Sequence, residues 1–342
     1  QFDTDNLEKN ESTVSTAPNK NNNSSNTNNS QVANSDGLKY SDNVEIFKNI
    51  PTELKGKTVL FSDWGEAVAD EYQKVVKKFT KDTGIRVKMV QFLNTEYIAK
   101  VSQQIAAGRS PDIAASNSSF PAALEMMQPL PDYFDVNDGF WDKRTAEATK
   151  IKGKYYFVNT INSPFTGGYV VYYNKSIFNT TGIKTPQEYY DEGQWTYENF
   201  LKVAKDVTAA EKKGAMFDPI IIAQQMGPAL IEYDSASGTF SGNSNSPEFI
   251  KAMQYYANGL ADGVFITGSA SAFANGGIGM AMLGTYGLKY DGYFKDLLPS
   301  DIGVLPCPNS FDGKKLDVMP LGYRGYGICK GAENGKAAYY LL

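Results

Sequence analysis

Carboxylates, an aromatic ring and neutral hydrogen-bonding side chains stand where three predicted strands end, and these side chains could bind a ligand. Asp63–Glu66 follows the first strand, Phe92–Asn94 the second and Ser116–Ser119 the third. The carboxyl ends of parallel strands meet at one edge of a sheet, so we expect one shared rim. The mixture suits a neutral polyhydroxylated ligand, whose CH faces stack on an aromatic ring. The candidate ligand-binding residues on this rim are Trp64, Gly65, Glu66, Asn94, Asn117 and Ser118.

Each candidate has an alternative interpretation. Trp64 could instead pack in the core, and Asn117 and Ser118 could serve only as helix caps. Asp63 and Glu66 form a carboxylate pair of the kind that hydrolyses glycosides without histidine. Such pairs also occur on solvated helix starts, where they complement the helix dipole. We expect binding rather than catalysis here, with a glycan-degrading or glycan-binding surface protein as the alternative.

Further aromatic and charged candidates stand beside later strands. Tyr286 follows a predicted strand at 278–283, and Tyr323 and Arg324 precede another at 325–329. They would add stacking and hydrogen-bonding surface. Trp141 and Trp195 lie beside predicted helix starts, and for them we favour a structural role.

The composition excludes several classes of protein. The 342-residue chain carries 33 Lys and Arg against 38 Asp and Glu, so it offers no basic stripe for a nucleic acid. It has no histidine, the commonest general base and metal ligand. Its two cysteines, Cys307 and Cys329, are too few for a thiolate cluster, and they either pair or stay free. We expect no nucleic acid partner, and we assign no cofactor and no metal ligand.

The hydrophobic pattern predicts an α/β fold. Strands alternate with helices from residue 57 to residue 116 with short links, which predicts a parallel sheet with right-handed crossovers. Later strands are predicted at 169–173, 220–223, 278–283, 302–306 and 325–329. Thr196 and Ser246 are predicted helix caps. The helix after Ser246 is predicted to bury Ile250, Met253, Ala257 and Leu260.

Both ends of the sequence are distinctive. Residues 1–43 are rich in Asn, Ser and Thr, and we interpret them as a disordered polar tether, followed by a lead-in at 44–56. Such leaders can hold an exported domain away from a membrane lipid anchor, although a terminus without purpose is the equal alternative. The amphipathic segment at 336–342 has no cap, so we expect the chain to continue beyond it.

Four blocks of sequence resemble the sugar-binding, maltose-binding-protein-like family of extracellular solute-binding proteins of ABC importers. KKFTKDTGIRVKMV and AAGRSPDIAAS are similar to the family's first helix and to its second and third strands. The segment 153–178, with Tyr173-Asn174-Lys175, is similar to its crossing into the second lobe. AFANGGIGMAMLGTYGL and the residues that follow, to 342, are similar to its late strand and its return to the first lobe.

The resemblance implies a periplasmic-binding-protein-like fold: two α/β lobes with a ligand cleft between them, joined by hinge strands. It divides the chain into lobe 1 at 57–167, lobe 2 at 168–300 and a return to lobe 1 at 301–342. It also implies a non-enzymatic role, the delivery of a sugar or oligosaccharide to ABC permease subunits. It nominates Trp64, Gly65, Glu66, Asn117, Ser118, Tyr286, Tyr323 and Arg324 again, and adds Gln225.

Location, assembly and ligand complete these expectations. We expect an extracellular monomer, anchored by lipid to a Gram-positive type of cell surface after signal peptide removal. Where maltose-binding protein has an acidic residue at the lobe crossing, this chain has Gly167 and Gly168, and Tyr286 stands where many members have tryptophan. These departures leave the exact sugar open. The alternative ligands, considered separately, are polyamine, peptide and phosphate ester.

Overall fold

The computed structural model describes residues 49–64, 70–116, 122–132, 134–161, 167–268, 270–285, 294, 299–311, 321–322 and 324–342. The predicted tether at 1–43 lies outside them, as does the start of the lead-in. No helix within these ranges is both long enough and apolar enough to cross a bilayer.

Strands and helices alternate along much of the chain, which confirms the predicted α/β class. The strands are β1 Thr58–Trp64, β2 Arg86–Phe92, β3 Ile113–Ser116, β4 Gly167–Asn174, β5 Lys213–Met216, β6 Ile231–Asp234, β7 Thr239–Gly242, β8 Phe265–Ile266, β9 Ile278–Gly284, β10 Ile302–Pro306, β11 Leu321–Gly322 and β12 Gly325–Ile328. The α-helices are α1 Asp70–Thr83, α2 Tyr97–Ala106, α3 Lys143–Ala148, α4 Lys175–Thr181, α5 Pro186–Asp191, α6 Tyr197–Ala209, α7 Pro219–Met226, α8 Pro247–Ala261, α9 Ala270–Ala274 and α10 Gly335–Leu341. Short 3-10 helices cover Thr52–Leu54, Ala122–Met126 and Pro299–Asp301.

The first sheet has the strand order β12-β3-β1-β2. β1 pairs in parallel with both β2 and β3, as predicted, and Trp64 is in register with Phe92. β12 returns from much later in the sequence and pairs with β3 antiparallel, with Gly325 opposite Ser116. Gly84 ends α1 with a φ of 74°, a backbone conformation that glycine adopts without strain.

The second sheet has the order β10-β4-β9-β5-β8, and β11 also pairs with β4. Its core is a cluster of buried aromatic and aliphatic side chains that includes Tyr197, Phe200, Phe217 and Phe265. Thr196 caps α6 and Ser246 caps α8 through their side chains, as predicted. β6 and β7 form a separate two-stranded hairpin.

Three sequence predictions were wrong in detail. The apolar run at 220–223 is not a strand but part of α7, because Asp218 caps the segment and Pro219 takes its first position. The predicted buried face of α8 is displaced, since Ile250 is 45% exposed while Ala252 is fully buried. The helix turns this face inward because Gly259 lets the ring of Phe265 approach its backbone.

The third difference concerns strand ends. β1 continues through Asp63 and Trp64, so these residues lie in the strand and not in the loop after it. In the same way, Phe92 is the last residue of β2 and Ser116 the last residue of β3. β10 pairs with β4 of the second sheet, and β12 pairs with β3 of the first. The lobe boundaries at 167 and 300 themselves stay predictions.

The two cysteines are free and lie in different cores. Cys307 contacts the core of the second sheet, and its thiol donates a hydrogen bond to the Tyr169 carbonyl oxygen at 3.3 Å. Cys329 is fully buried beside the first sheet. Burial raises the pKa of each thiol to about 12, so both are protonated at neutral pH.

Candidate functional site

Trp64 is the last residue of the central strand of the first sheet. Val59 and Phe61 are buried on one side of this strand, and the indole of Trp64 projects from the other side, half-buried against the neighbouring core. Its ring and that of Tyr97 of α2 pack edge to face, with ring centroids 5.0 Å apart and an interplanar angle of 70°. Trp64 is therefore an aromatic surface fixed at the carboxyl end of a parallel sheet, where ligands of open α/β sheets bind.

A buried ion pair lies directly beneath this tryptophan. Arg324, just before β12, pairs with the carboxylate of Asp63, and the two side chains are only 5% and 1% exposed. The Asp63 carboxylate also accepts a hydrogen bond from the Tyr326 hydroxyl at 3.4 Å. Burial raises the pKa of the Asp63 carboxyl, and the adjacent Arg324 guanidinium opposes this shift.

The same pair holds the backbone and the ring of Trp64. The Trp64 amide N–H donates to the Asp63 carboxylate at 2.7 Å, and its carbonyl oxygen accepts from Arg324 at 3.1 Å. The guanidinium carbon stands over the indole, 4.2 Å from the ring centroid. Since both charges are buried and face each other, the pair adds no net charge to the surface that Trp64 presents.

The predicted site residues fall into three groups. Trp64 and Arg324 are in direct contact, as just described. Asn94 is exposed in the turn before α2, two residues after the register partner of Trp64. Outside the described residues lie Gly65, Glu66, Asn117, Ser118, Tyr286 and Tyr323.

Gln225 has a different environment from that predicted. It lies on α7 and is 6% exposed. Its side-chain oxygen accepts a hydrogen bond from the Tyr197 hydroxyl at 2.6 Å, and its nitrogen donates to the Pro308 carbonyl at 3.2 Å. Both ends of the amide therefore satisfy polar groups inside the core of the second sheet.

Two tyrosines near Trp64 were not among the sequence predictions. Tyr97 was not predicted, because its hydrogen bonds to β1 and β3 depend on how α2 packs on the first sheet. Tyr326 was counted only as part of a strand, although its alternation with Arg324 places both on the same side of the chain. That alternation was the one signal that could have indicated a partner for Asp63.

Trp141 and Trp195, which were expected to have a structural role, both make packing contacts within the fold. Trp195 is 2% exposed, and its indole N–H donates to the Pro306 carbonyl oxygen at 2.8 Å. Trp141 packs on Phe134 and Phe140, with ring centroids 5.1 and 5.2 Å away.

A cavity of about 390 Å³ lies apart from these residues. The described residues that line it are 130–132, 134–137, Gly153, Lys154 and Tyr155, and two of them, Lys154 and Asp132, form an ion pair at 2.6 Å. No predicted ligand residue is among the described residues that line it.

Comparisons with known proteins agree with the resemblance seen in the sequence. The family model described as bacterial extracellular solute-binding protein matches residues 74–342. A comparison with curated protein sequences yields no match.

Several solved structures share the fold. An ABC substrate-binding protein, Lmo0181 of Listeria monocytogenes, in complex with cycloalternan, is 22% identical with a TM-score of 0.65, covering 83% of this chain and 74% of that one. Maltose-bound MalE3 of T. maritima is 19% identical with a TM-score of 0.65, covering 84% and 76%. The galacto-N-biose-/lacto-N-biose I-binding protein of Bifidobacterium longum, in complex with lacto-N-biose, is 16% identical with a TM-score of 0.66, covering 83% and 73%. These likenesses confirm the predicted periplasmic-binding-protein-like α/β fold.

Proposed function

The chain belongs to the bacterial extracellular solute-binding proteins, and from this we propose that it captures a sugar or oligosaccharide and delivers it to an ABC importer. One observation in particular supports a sugar. The half-buried ring of Trp64 stands at the carboxyl end of the first sheet, held from below by a charge-compensated pair. Such a ring suits the CH face of a pyranose.

The charges of the described residues around Trp64 favour a neutral ligand. A polyamine site would need carboxylates that face the ligand, and a phosphate site would need free cations or helix N-termini. Asp63 and Arg324 instead face one another in the interior. The solved structures that share the fold carry cycloalternan, maltose and lacto-N-biose, which are neutral saccharides.

We propose that the ligand lies between two lobes that close on it. Closure would exclude water from the sugar hydroxyls, whose hydrogen bonds to the protein then compensate for their lost hydration. The residues we assign to this site are Trp64, Gly65, Glu66, Asn94, Asn117, Ser118, Tyr286 and Tyr323. Arg324 acts through Trp64, and Gln225 belongs to the internal packing of the second sheet.

The same proposal includes the setting of the protein. We propose that it works as a monomer outside the cell, tethered by its polar N-terminal segment to a lipid anchor, and that it docks on the permease subunits. We also propose that it carries out no catalysis. Asp63, which a glycosidase would need with Glu66, has both carboxylate oxygens engaged in the interior.

A thermal-shift screen tests the proposal. The panel contains maltose, maltotetraose, cycloalternan and lacto-N-biose, with spermidine, a tripeptide and glucose 6-phosphate as the competing classes. A micromolar ligand at millimolar concentration stabilises the folded state by about 4 kcal/mol. A shift confined to saccharides, without turnover of the saccharide over a day, is the expected result. A shift confined to one of the other classes, or release of shortened glycans, would overturn the proposal.

A further inference from the structure

The Asp63–Arg324 pair contacts Trp64 at three separate points. Asp63 accepts the hydrogen bond of the Trp64 amide, Arg324 donates to the Trp64 carbonyl, and the guanidinium covers one face of the indole. Two backbone groups and one ring face of a single residue are therefore held by two adjacent, oppositely charged side chains. Two exposed ion pairs also place a lysine over a tyrosine ring, Lys150 over Tyr155 and Lys184 over Tyr189, but the Asp63–Arg324 pair differs from them in being buried.

Burial makes stability a poor explanation for this pair. Removing two charges from water costs free energy that their attraction seldom exceeds, and well-packed apolar residues of similar volume are often at least as stabilising. What an apolar replacement would lack is the directional hold on the Trp64 carbonyl and the planar group against the indole. The pair therefore contributes more to the orientation of Trp64 than to the free energy of unfolding.

We propose that Arg324 and Asp63 are positioning residues that fix the indole of Trp64 so that a sugar ring stacks on the one face that the guanidinium leaves uncovered. The inference rests on the proposed function, because it assumes that Trp64 contacts the ligand. A guanidinium carbon 4.2 Å from the ring centroid leaves no room for a pyranose on that side. Trp64 therefore stacks on a single sugar ring from one side and does not insert between two.

Two tyrosines, Tyr326 and Tyr97, contact Asp63 and Trp64 and further restrict the orientation of the indole. Tyr326 of β12 donates to Asp63, and the ring of Tyr97 of α2 packs against the indole at a steep angle. The indole is in contact with both Arg324 and Tyr97, so rotation about its side-chain bonds is restricted. Asp63 and Arg324 are 261 positions apart in sequence, so the orientation of Trp64 depends on the return of the chain to the first sheet.

The test compares folded variants that lack the contacts of Asp63 and Arg324 with Trp64. Replacement of Arg324 alone by an apolar residue would strand the Asp63 charge in the interior. The double variant Asp63→Asn, Arg324→Met removes both charges and keeps most of the volume. Arg324→Lys keeps the charge but loses the planar fork. Arg144→Lys, at an exposed arginine that pairs with the buried Asp142, is the matched control.

Two measurements separate positioning from direct ligand contact. Labelling with 5-fluorotryptophan gives one fluorine resonance for each of the three tryptophans, and Trp64→Phe assigns that of Trp64. Titration calorimetry then gives the affinity for whichever saccharide produces the largest thermal shift. In the double variant and in Arg324→Lys we expect the Trp64 resonance to move or split, those of Trp141 and Trp195 to stay, and the affinity to fall about tenfold.

Each remaining outcome has a definite meaning. An unchanged affinity in the folded double variant, with a loss in Trp64→Ala, overturns the inference and leaves the proposed function standing. A loss of affinity without any change in the Trp64 resonance also overturns it, because Arg324 would then contact the sugar itself. An unchanged affinity in Trp64→Ala overturns the assignment of Trp64 to the site in the proposed function, and the inference with it.

Discussion

The Tyr97 hydroxyl joins two strands of the first sheet: it donates to the Ser62 carbonyl and accepts from the Ala115 amide N–H, each at 2.9 Å. Ser62 precedes the Asp63–Trp64 end of β1, and Ala115 lies near the end of β3. Tyr97 itself is 1% exposed, and burial raises the pKa of its hydroxyl above the ordinary value. The Tyr97 side chain thus connects β1 and β3 next to Trp64.

Removal of this hydroxyl should destabilise the protein. Tyr97→Phe leaves a buried carbonyl and a buried amide N–H without their partner, which costs about 1–3 kcal/mol. Urea unfolding followed by far-UV circular dichroism measures the loss. Tyr190→Phe serves as the control, because Tyr190 is 45% exposed. Equal stability of the two variants would mean that the Tyr97 hydrogen bonds contribute nothing.

Truncation of the proposed stacking residues should weaken ligand binding without unfolding the chain. We expect Trp64→Ala or Tyr286→Ala to cost about 1–3 kcal/mol of binding free energy each, because each removes an aromatic face from the sugar. Calorimetry with the saccharide found by the thermal-shift screen gives the value. Tyr190→Phe again provides the reference, and wild-type affinity in both alanine variants would contradict the site.

Addition of one methyl group to α8 should be costly. Glycine within a helix normally costs about 0.5–1 kcal/mol relative to alanine, so Gly259→Ala would stabilise an isolated helix. In this protein the new Cβ would lie 2.0 Å from the Cδ2 atom of Phe265, which is buried. We expect a net loss of about 1–3 kcal/mol in thermal or urea unfolding. Gly277→Ala, whose Cβ would meet no atom within 4 Å, should leave stability nearly unchanged.

The buried thiols should resist alkylation and weaken the fold at high pH. With a pKa of about 12 in the folded state, Cys307 and Cys329 hold too little thiolate at pH 8 to react with iodoacetamide, whereas both should react in urea. The unfolded thiols lose their protons near pH 8.5, so unfolding releases protons above that pH. Each thiol then lowers the free energy of unfolding by about 1.4 kcal/mol per pH unit until the pH approaches the folded pKa. Rapid labelling of the folded chain, counted by mass spectrometry, would contradict this.

The sequence was sufficient for the parts of the fold that depend on local periodicity. The βαβ order of the first sheet and the Thr196 and Ser246 caps follow from patterns within a few residues, and they are confirmed. The apolar run at 220–223 was ambiguous because a short buried helix and a buried strand share that composition. The Asp218-Pro219 start was the signal that should have decided it.

The site was harder to predict because its contacts join distant parts of the chain. Trp64 and Arg324 were both nominated, but their mutual contact depends on β12 lying beside β3. No local pattern encodes that pairing. The internal role of Gln225 likewise depends on Tyr197 and Pro308, which come from other elements of the second sheet.

The antiparallel pairing of β3 with β12 has a consequence for biosynthesis. Ile113–Ser116 is an apolar edge strand until residues 325–328 have emerged from the ribosome, because those residues form its outer neighbour. An unpaired apolar edge invites contact with other chains, and such distant pairings form slowly. The chain therefore carries an incomplete first sheet until residues 325–328 are available, and a chaperone that covers 113–116 would protect it during that interval.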